Sequence, residues 1–152
     1  MNMAVEFKTE FSNEIAGLIH GLFFGLAEDH EYDDKEKGLN FLKSIYSTED
    51  IKQWNKDFVV TLWDKDKFIG FGRAKDNGWT THLYIDIPYE GQGLGSKLLN
   101  KLEEYLINKD HKVIHLNSEA KALDFYKKRG YEVDGLTKIH EGIIQIPMQK
   151  AL

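Results

Sequence analysis

One stretch constrains the fold of this chain more than any other: His82 to Leu106, HLYIDIPYEGQGLGSKLLNKLEEYL. His82–Ile87 reads as a buried strand, the segment carrying Gly91, Gly93 and Gly95 as a loop, and the remainder as a helix. Leu94, Leu98, Leu99, Leu102, Tyr105 and Leu106 recur at about 3.6-residue spacing, so the helix buries one face. Alternating glycines ahead of a helix leave backbone N–H groups uncovered, with the helix dipole behind them. That is a nest for an anionic group, most naturally a phosphate.

Two common phosphate loops do not fit. The Walker pattern needs Lys followed by Ser or Thr after its second glycine, and here Ser96 precedes Lys97. The dinucleotide fingerprint needs glycine at position 96.

The 152 residues suit one domain with a sizeable core. The chain has no cysteine, which excludes disulfides, thiolate metal sites and a cysteine nucleophile. The first ten residues lack a basic region followed by an apolar run, so no signal peptide is expected, and the longest apolar stretch, Leu18 to Ala27, is too short to span a bilayer. A cytoplasmic protein without membrane association is the expectation. Charge is uneven: residues 1–60 hold twelve acids against six lysines, residues 96–129 five acids against eight bases. That asymmetry suggests an anionic ligand at one half and a cationic one at the other, while the net charge of −5 disfavours nucleic acid.

Residues 4–8 alternate as a first strand, and Ser12 caps a helix burying Ile15, Leu18, Ile19, Leu22, Phe23 and Leu26. An acidic connection, Glu28 to Asp34, leads to a second helix over 35–46 and a short turn capped by Ser47 or Thr48. Strands follow at 57–63, 68–75 and 79–87, with turns at Asp64–Lys67 and Asn77-Gly78 and a bulge or close contact signalled by Gly70 and Gly72. After the central helix come a strand at 112–117, a helix at 119–129 ended by Gly130, and strands at 131–138 and 143–149. This order gives a mixed α/β sheet in one domain, residues 1–152.

The residues EGQGLG after a strand resemble the pyrophosphate loop of the GCN5-related N-acetyltransferases, Gln/Arg-x-x-Gly-x-Gly/Ala. The match covers Gly93, Gly95, the preceding LYI and the following SKLL; Glu90 departs from the Gln/Arg position. A second motif, N/S-x-x-A-x-x-F-Y-x-x-x-G-F/Y, is matched by Ala122, Phe125, Tyr126, Gly130 and Tyr131, with Glu119 in place of Asn or Ser. The YSTEDIKQW segment is similar to that of small bacterial members.

The resemblance implies a GNAT-like fold: a central, mostly antiparallel sheet with a splayed strand pair and flanking helices. It implies direct transfer of an acetyl group from acetyl-CoA, as co-substrate, to a primary amine, without a metal. Backbone N–H groups of Gly91, Gln92, Gly93, Leu94, Gly95 and Ser96 would hold the pyrophosphate, flanked by Glu90 and Lys97, with Lys121, Lys127 and Lys128 near the ribose phosphate. Ile85, Asp86 and Ile87 would line the pantetheine arm, with a backbone N–H near Ile85 polarising the thioester carbonyl. Glu119 and Tyr126 complete the cofactor contacts, and Tyr126 matches the general acid. The strand position that often carries a glutamate base holds Trp79; His82 is the nearest titratable candidate, ahead of Asp86 and Tyr84.

The acceptor is expected beside the first two helices, where Glu28, Asp29 and Glu31 suit a cationic small molecule or peptide amine. A homodimer is compatible with the resemblance. A second reading stays open, a non-catalytic acyl-CoA sensor on the same fold, supported by Glu90 and the missing base and opposed by Tyr126.

Overall fold

The computed structural model describes residues 5–152; Ala4, where the first strand was expected to begin, lies outside the described residues. The chain runs through β1 (Val5–Lys8), α1 (Asn13–Ala27), α2 (Lys35–Ile45), α3 (Thr48–Lys52), β2 (Phe58–Asp64), β3 (Lys67–Ala74), β4 (Thr80–Ile85) and α4 (Leu94–Asn108). It continues through β5 (Val113–Ser118), α5 (Leu123–Lys127), β6 (Glu132–Val133), β7 (Lys138–His140) and β8 (Ile143–Ala151). Helix starts follow local chemistry: the Ser12 hydroxyl accepts from Ile15 N, Asp34 accepts from Lys37 N, and Ser47 forms a reciprocal capping box with Asp50.

Strands β1-β2-β3-β4 form one antiparallel sheet, and β5-β8-β6 a second, with β7 paired to the first half of β8. The two sheets touch through one parallel bridge, Trp79 to His115, where His115 N donates to Gly78 O at 3.0 Å. Beyond it β4 and β5 part. An extra residue in β4 precedes the parting: Arg73 pairs with His82 and Ala74 with Thr80, so Thr81 is a bulge.

Side-chain alternation on β2 and β3 sends Val59 and Phe71 to α1 and α3, and Val60 and Ala74 to α4. Gly72 sits on the α4 side because a Cβ there would come within 2.9 Å of Leu102 Cδ1. A second register shift in β3, beside Gly70, answers the expected bulge. On α4, Leu94, Leu98, Leu99, Leu102 and Leu106 are buried as the periodicity requires, while Tyr105 is half-buried and stacks on Phe58. Burying five leucines contributes roughly 1.5–3 kcal/mol each before entropy is counted.

Several boundaries differ from the sequence expectation. The strand expected to reach Ile87 ends at Ile85, because the Asp86 carboxylate accepts from Ile87 N and Pro88 has no N–H to offer a ladder. The helix expected over 119–129 opens as a 3-10 turn, Ala120–Ala122, and only Leu123–Lys127 is α-helical. The strand expected over 131–138 is two short ones separated at Gly135, whose φ of +126° no extended strand adopts. On α1 the fully buried line is Ala16, Ile19, Phe23 and Ala27, with Leu18, Leu22 and Leu26 half-buried beside it. The two alanines let α1 approach its neighbours closely.

The β7–β8 hairpin docks on the 28–34 connection: Gly142 O accepts from Asp33 N at 2.9 Å and Asp34 N at 3.3 Å. Gly142 has φ of +82°, and a Cβ there would stand 2.6 Å from Asp34 O, a backbone atom that cannot swing away. Gly142→Ala is therefore expected to cost about 1–3 kcal/mol, read as a lower urea midpoint at unchanged m value. An unaltered midpoint would refute this account of the docking.

Candidate functional site

The glycine loop has the backbone of an anion nest. Gly91 and Gly93 take φ of +77° and +79°, and Gly93 is the N-cap of α4. Among the described residues the first α4 amide with a protein acceptor is Lys97 N, which donates to Gly93 O at 3.2 Å; the N–H groups from Gly91 to Ser96 have none. Glu90 is exposed, and its extended backbone (φ −66°, ψ 155°) leads into the loop. Arg129, just past the end of α5, braces the loop from the side: its Nε donates to Ser96 Oγ and its Nη1 to Phe125 O, both at 2.7 Å, and the guanidinium lies over the Phe125 ring. A Cβ on Gly95 would meet that ring at 3.4 Å. Lys97, Lys127 and Lys128 are exposed around this corner.

From the loop a gap runs between β4 and β5. Asp86 N donates to Ile69 O at 2.8 Å, so strand alternation turns the N–H and C=O of Ile85 away from β3 and toward the gap. Ile85 thus turns a free backbone edge toward the gap. Ile87 does not, since its N–H is taken by the Asp86 carboxylate at 3.0 Å. A small cavity of about 80 Å³ occupies the gap, lined by Leu83, Leu116, Ala122 and Tyr126 among others. Tyr126 is buried; burial first, and the Glu119 carboxylate second, push its hydroxyl pKa up, so it stays protonated through neutral pH.

A larger cavity of about 250 Å³ adjoins it. Thr80, Thr81, His82, Tyr84, Asn117, Ser118 and Glu119 line both, so the two are continuous. His82 is buried against Trp54, Tyr46 and Phe23, with Nδ1 at 2.9 Å from Thr81 Oγ1. Burial, with Arg73 and His30 adding to it, holds its pKa well below the usual histidine range. The ring is neutral and weakly basic, a poor match for a general base near neutral pH.

The acidic connection is arranged differently from the expectation. Glu28 is exposed and pairs with Lys35 at 3.0 Å. Asp29 contributes its carbonyl oxygen, which accepts from Lys121 Nζ at 2.9 Å. Glu31 alone of the three lines the larger cavity, and its carboxylate accepts from Lys121 N at 2.8 Å. Lys121 is thereby held at the acidic connection. Glu119, which the resemblance places at the cofactor, lines both cavities and accepts from Glu31 N at 3.1 Å.

Sequence reasoning missed His30, Phe41, Ile45 and Tyr46, which wall the larger cavity. His30 stacks on Tyr84 with ring centroids 5.5 Å apart, and burial lowers its pKa despite the nearby Glu119. No periodicity marks these residues as site-forming, because they meet only when α2, β4 and β8 converge.

A family model described as an acetyltransferase (GNAT) domain matches residues 26–152. The chain is similar to the chloroplastic GCN5-related N-acetyltransferase 2 of Arabidopsis thaliana, at 36% identity over 72 residues, covering 45% of this chain and 28% of that protein. The matched segments span 28% to 65% of the lengths of the curated relatives compared. A GCN5-related N-acetyltransferase from Rhodopseudomonas palustris superposes with a TM-score of 0.85 at 19% identity, covering 100% of this chain and 99% of that one. The PaiA N-acetyltransferase from Thermoplasma acidophilum, solved with coenzyme A, gives 0.78 at 17% identity, covering 99% and 100%. At these identities the structural likeness carries the fold.

The nest predicts how binding responds to substitution. Gly93→Val puts a β-branched residue at a positive φ and a side chain where an anion must approach. CoA affinity is expected to drop at least tenfold, about 1.4 kcal/mol, whereas Glu90→Gln should leave it equal or improved. Calorimetry finding the reverse pattern would refute the nest.

Proposed function

This chain belongs to the GNAT acetyltransferase family, and from that premise we propose that it moves an acetyl group from acetyl-CoA directly to a primary amine. One observation carries the reading: the uncovered N–H groups at 91–96 follow directly on β4, whose free Ile85 edge turns toward the gap between β4 and β5, and Tyr126 lines the cavity in that gap. The residues fit the co-substrate, since a nest of amides suits a pyrophosphate and a free strand edge suits the two amides of a pantetheine arm.

Acetyl-CoA supplies a thioester, whose carbonyl carbon bonds to the amine nitrogen as its bond to sulfur breaks. The amides of Gly91 to Ser96 bind and orient the diphosphate, and a bulky side chain at Gly93 would intrude. The Ile85 edge aligns the arm, and an N–H aimed where charge develops on the carbonyl oxygen is worth a few kcal/mol. Tyr126 holds a proton at Oη for the departing sulfur. A phenol at about 10 and a thiol at about 8.5 are close enough for the donor to work in neutral water. Burial raises the phenol further, which keeps the donor loaded and makes it a weaker acid. The nitrogen sheds its proton to solvent, because His82, the titratable side chain nearest the expected base position, is held weakly basic.

Tyr126→Phe keeps the ring and removes the donor. kcat and kcat/KM are expected to fall together by roughly 10- to 1,000-fold, with acetyl-CoA affinity unchanged by calorimetry. Wild-type kcat under conditions where chemistry limits turnover would exclude the acid role. Acetyl-CoA binding without thiol release over a panel of amines would favour a sensor over an enzyme.

A further inference from the structure

Resting on the acetyl-transfer reading, we propose that the acceptor is a small amine on an apolar or aromatic body, and that Glu119 holds its ammonium where the larger cavity meets the strand gap. The walls decide the body. Phe41, Leu42, Ile45, Tyr46, Trp79 and Ile143 line the larger cavity. Ile45 is 37% exposed, and Phe41 and Trp79 are half-buried, so these are surfaces still available for apolar contact. At about 250 Å³ the space lies just below the ~300–1,000 Å³ typical of drug-sized ligands, which selects a compact acceptor.

The charge decides the head group. Two carboxylates line this cavity, Glu31 and Glu119, and only Glu119 also lines the gap. Glu31 accepts from the Lys121 amide through Oε1 and does not line the gap. Glu119 is oriented through Oε1 by the Glu31 amide, while Oε2 faces only Lys121 Nζ at 3.7 Å, a group that donates instead to Asp29 O at 2.9 Å. Its side chain keeps 27% exposure, so one oxygen retains lone pairs for a ligand. The surrounding His30, His82, Tyr84 and Tyr126 are uncharged and cannot compete for a cation. An independent sign of a ligand is Thr80: it is 4% exposed, lines both cavities, and its Oγ1 has no hydrogen-bond partner among the described residues. A buried hydroxyl left unpaired is costly unless a ligand or water meets it.

A polyamine is the contrary case. With its first ammonium on Glu119, its second would have only the Glu31 carboxylate, which already accepts from the Lys121 amide, among the apolar walls of Ile45, Phe41 and Trp79. The test measures thiol release with 2-phenylethylamine, spermidine and a short peptide bearing a free N-terminus. We expect kcat/KM for 2-phenylethylamine to exceed that for spermidine and for the peptide at least tenfold. Glu119→Gln, which still accepts from the Glu31 amide, should raise the 2-phenylethylamine KM at least tenfold, a larger change than in kcat or in acetyl-CoA affinity. Ile45→Glu, at a partly exposed wall position, should shift the preference toward spermidine. Spermidine or the peptide ahead in the native protein, or an unchanged KM in Glu119→Gln, overturns this inference and leaves the transfer reading standing. No thiol release with any amine, or no acetyl-CoA binding, overturns both.

Discussion

The single bridge between Trp79 and His115 is the joint on which this molecule depends. His115 N donates to Gly78 O, Gly78 takes φ of +95° to present that oxygen, and the Trp79 and His115 rings stack at 5.3 Å. Two residues later Thr81 bulges out of the β3–β4 ladder, and from there β4 and β5 have no ladder between them. Two sheets held at one point and open beyond it leave strand edges without partners, normally a liability. Here the open edges border the gap between β4 and β5.

The helices that cover the two sheets also set the chemistry of the gap. Helix α4 is pinned to the second sheet by Glu103, whose carboxylate accepts from Tyr131 Oη at 2.8 Å and from Lys150 Nζ at 3.1 Å. A buried carboxylate with two donors is costly to break, which keeps the helix start, and so the nest, in a fixed place relative to β8. On the opposite face Arg73 pairs with Asp57 at 2.7 Å and lies over Trp54. Its charge adds to burial in keeping His82 neutral. The site is therefore built with neutral rings beside two carboxylates, Glu31 and Glu119, of which Glu119 also lines the strand gap.

The loop could be read from residues 82–106 because its determinants are local: alternating glycines, a helical repeat and a preceding strand. The five buried leucines of α4, the Ser12 and Ser47 caps and the turn at Asn77-Gly78 were legible for the same reason, since each depends on neighbours within four residues. The ends of elements were less legible. Asp86 capturing Ile87 N and Gly135 dividing the strand after Tyr131 are side-chain and backbone choices that periodicity does not encode.

The sequence by itself determined the mixed sheet, the anion nest, the motif register that places Tyr126, and the family resemblance. Only the tertiary structure decided which carboxylates reach the cavities. The acidic run from Glu28 to Asp34 has a composition that invites a cationic ligand, yet the carboxylates of Glu28, Glu31 and Asp34 engage Lys35, the Lys121 amide and the cap of α2, and only Glu31 of Glu28, Asp29 and Glu31 lines the cavity. Glu119 gains its place because β5 diverges from β4 and carries it to the boundary of two cavities. Charge pattern reports which groups exist along a chain; which of them remain unpaired depends on contacts between residues up to 92 positions apart, and those form only when the chain is folded.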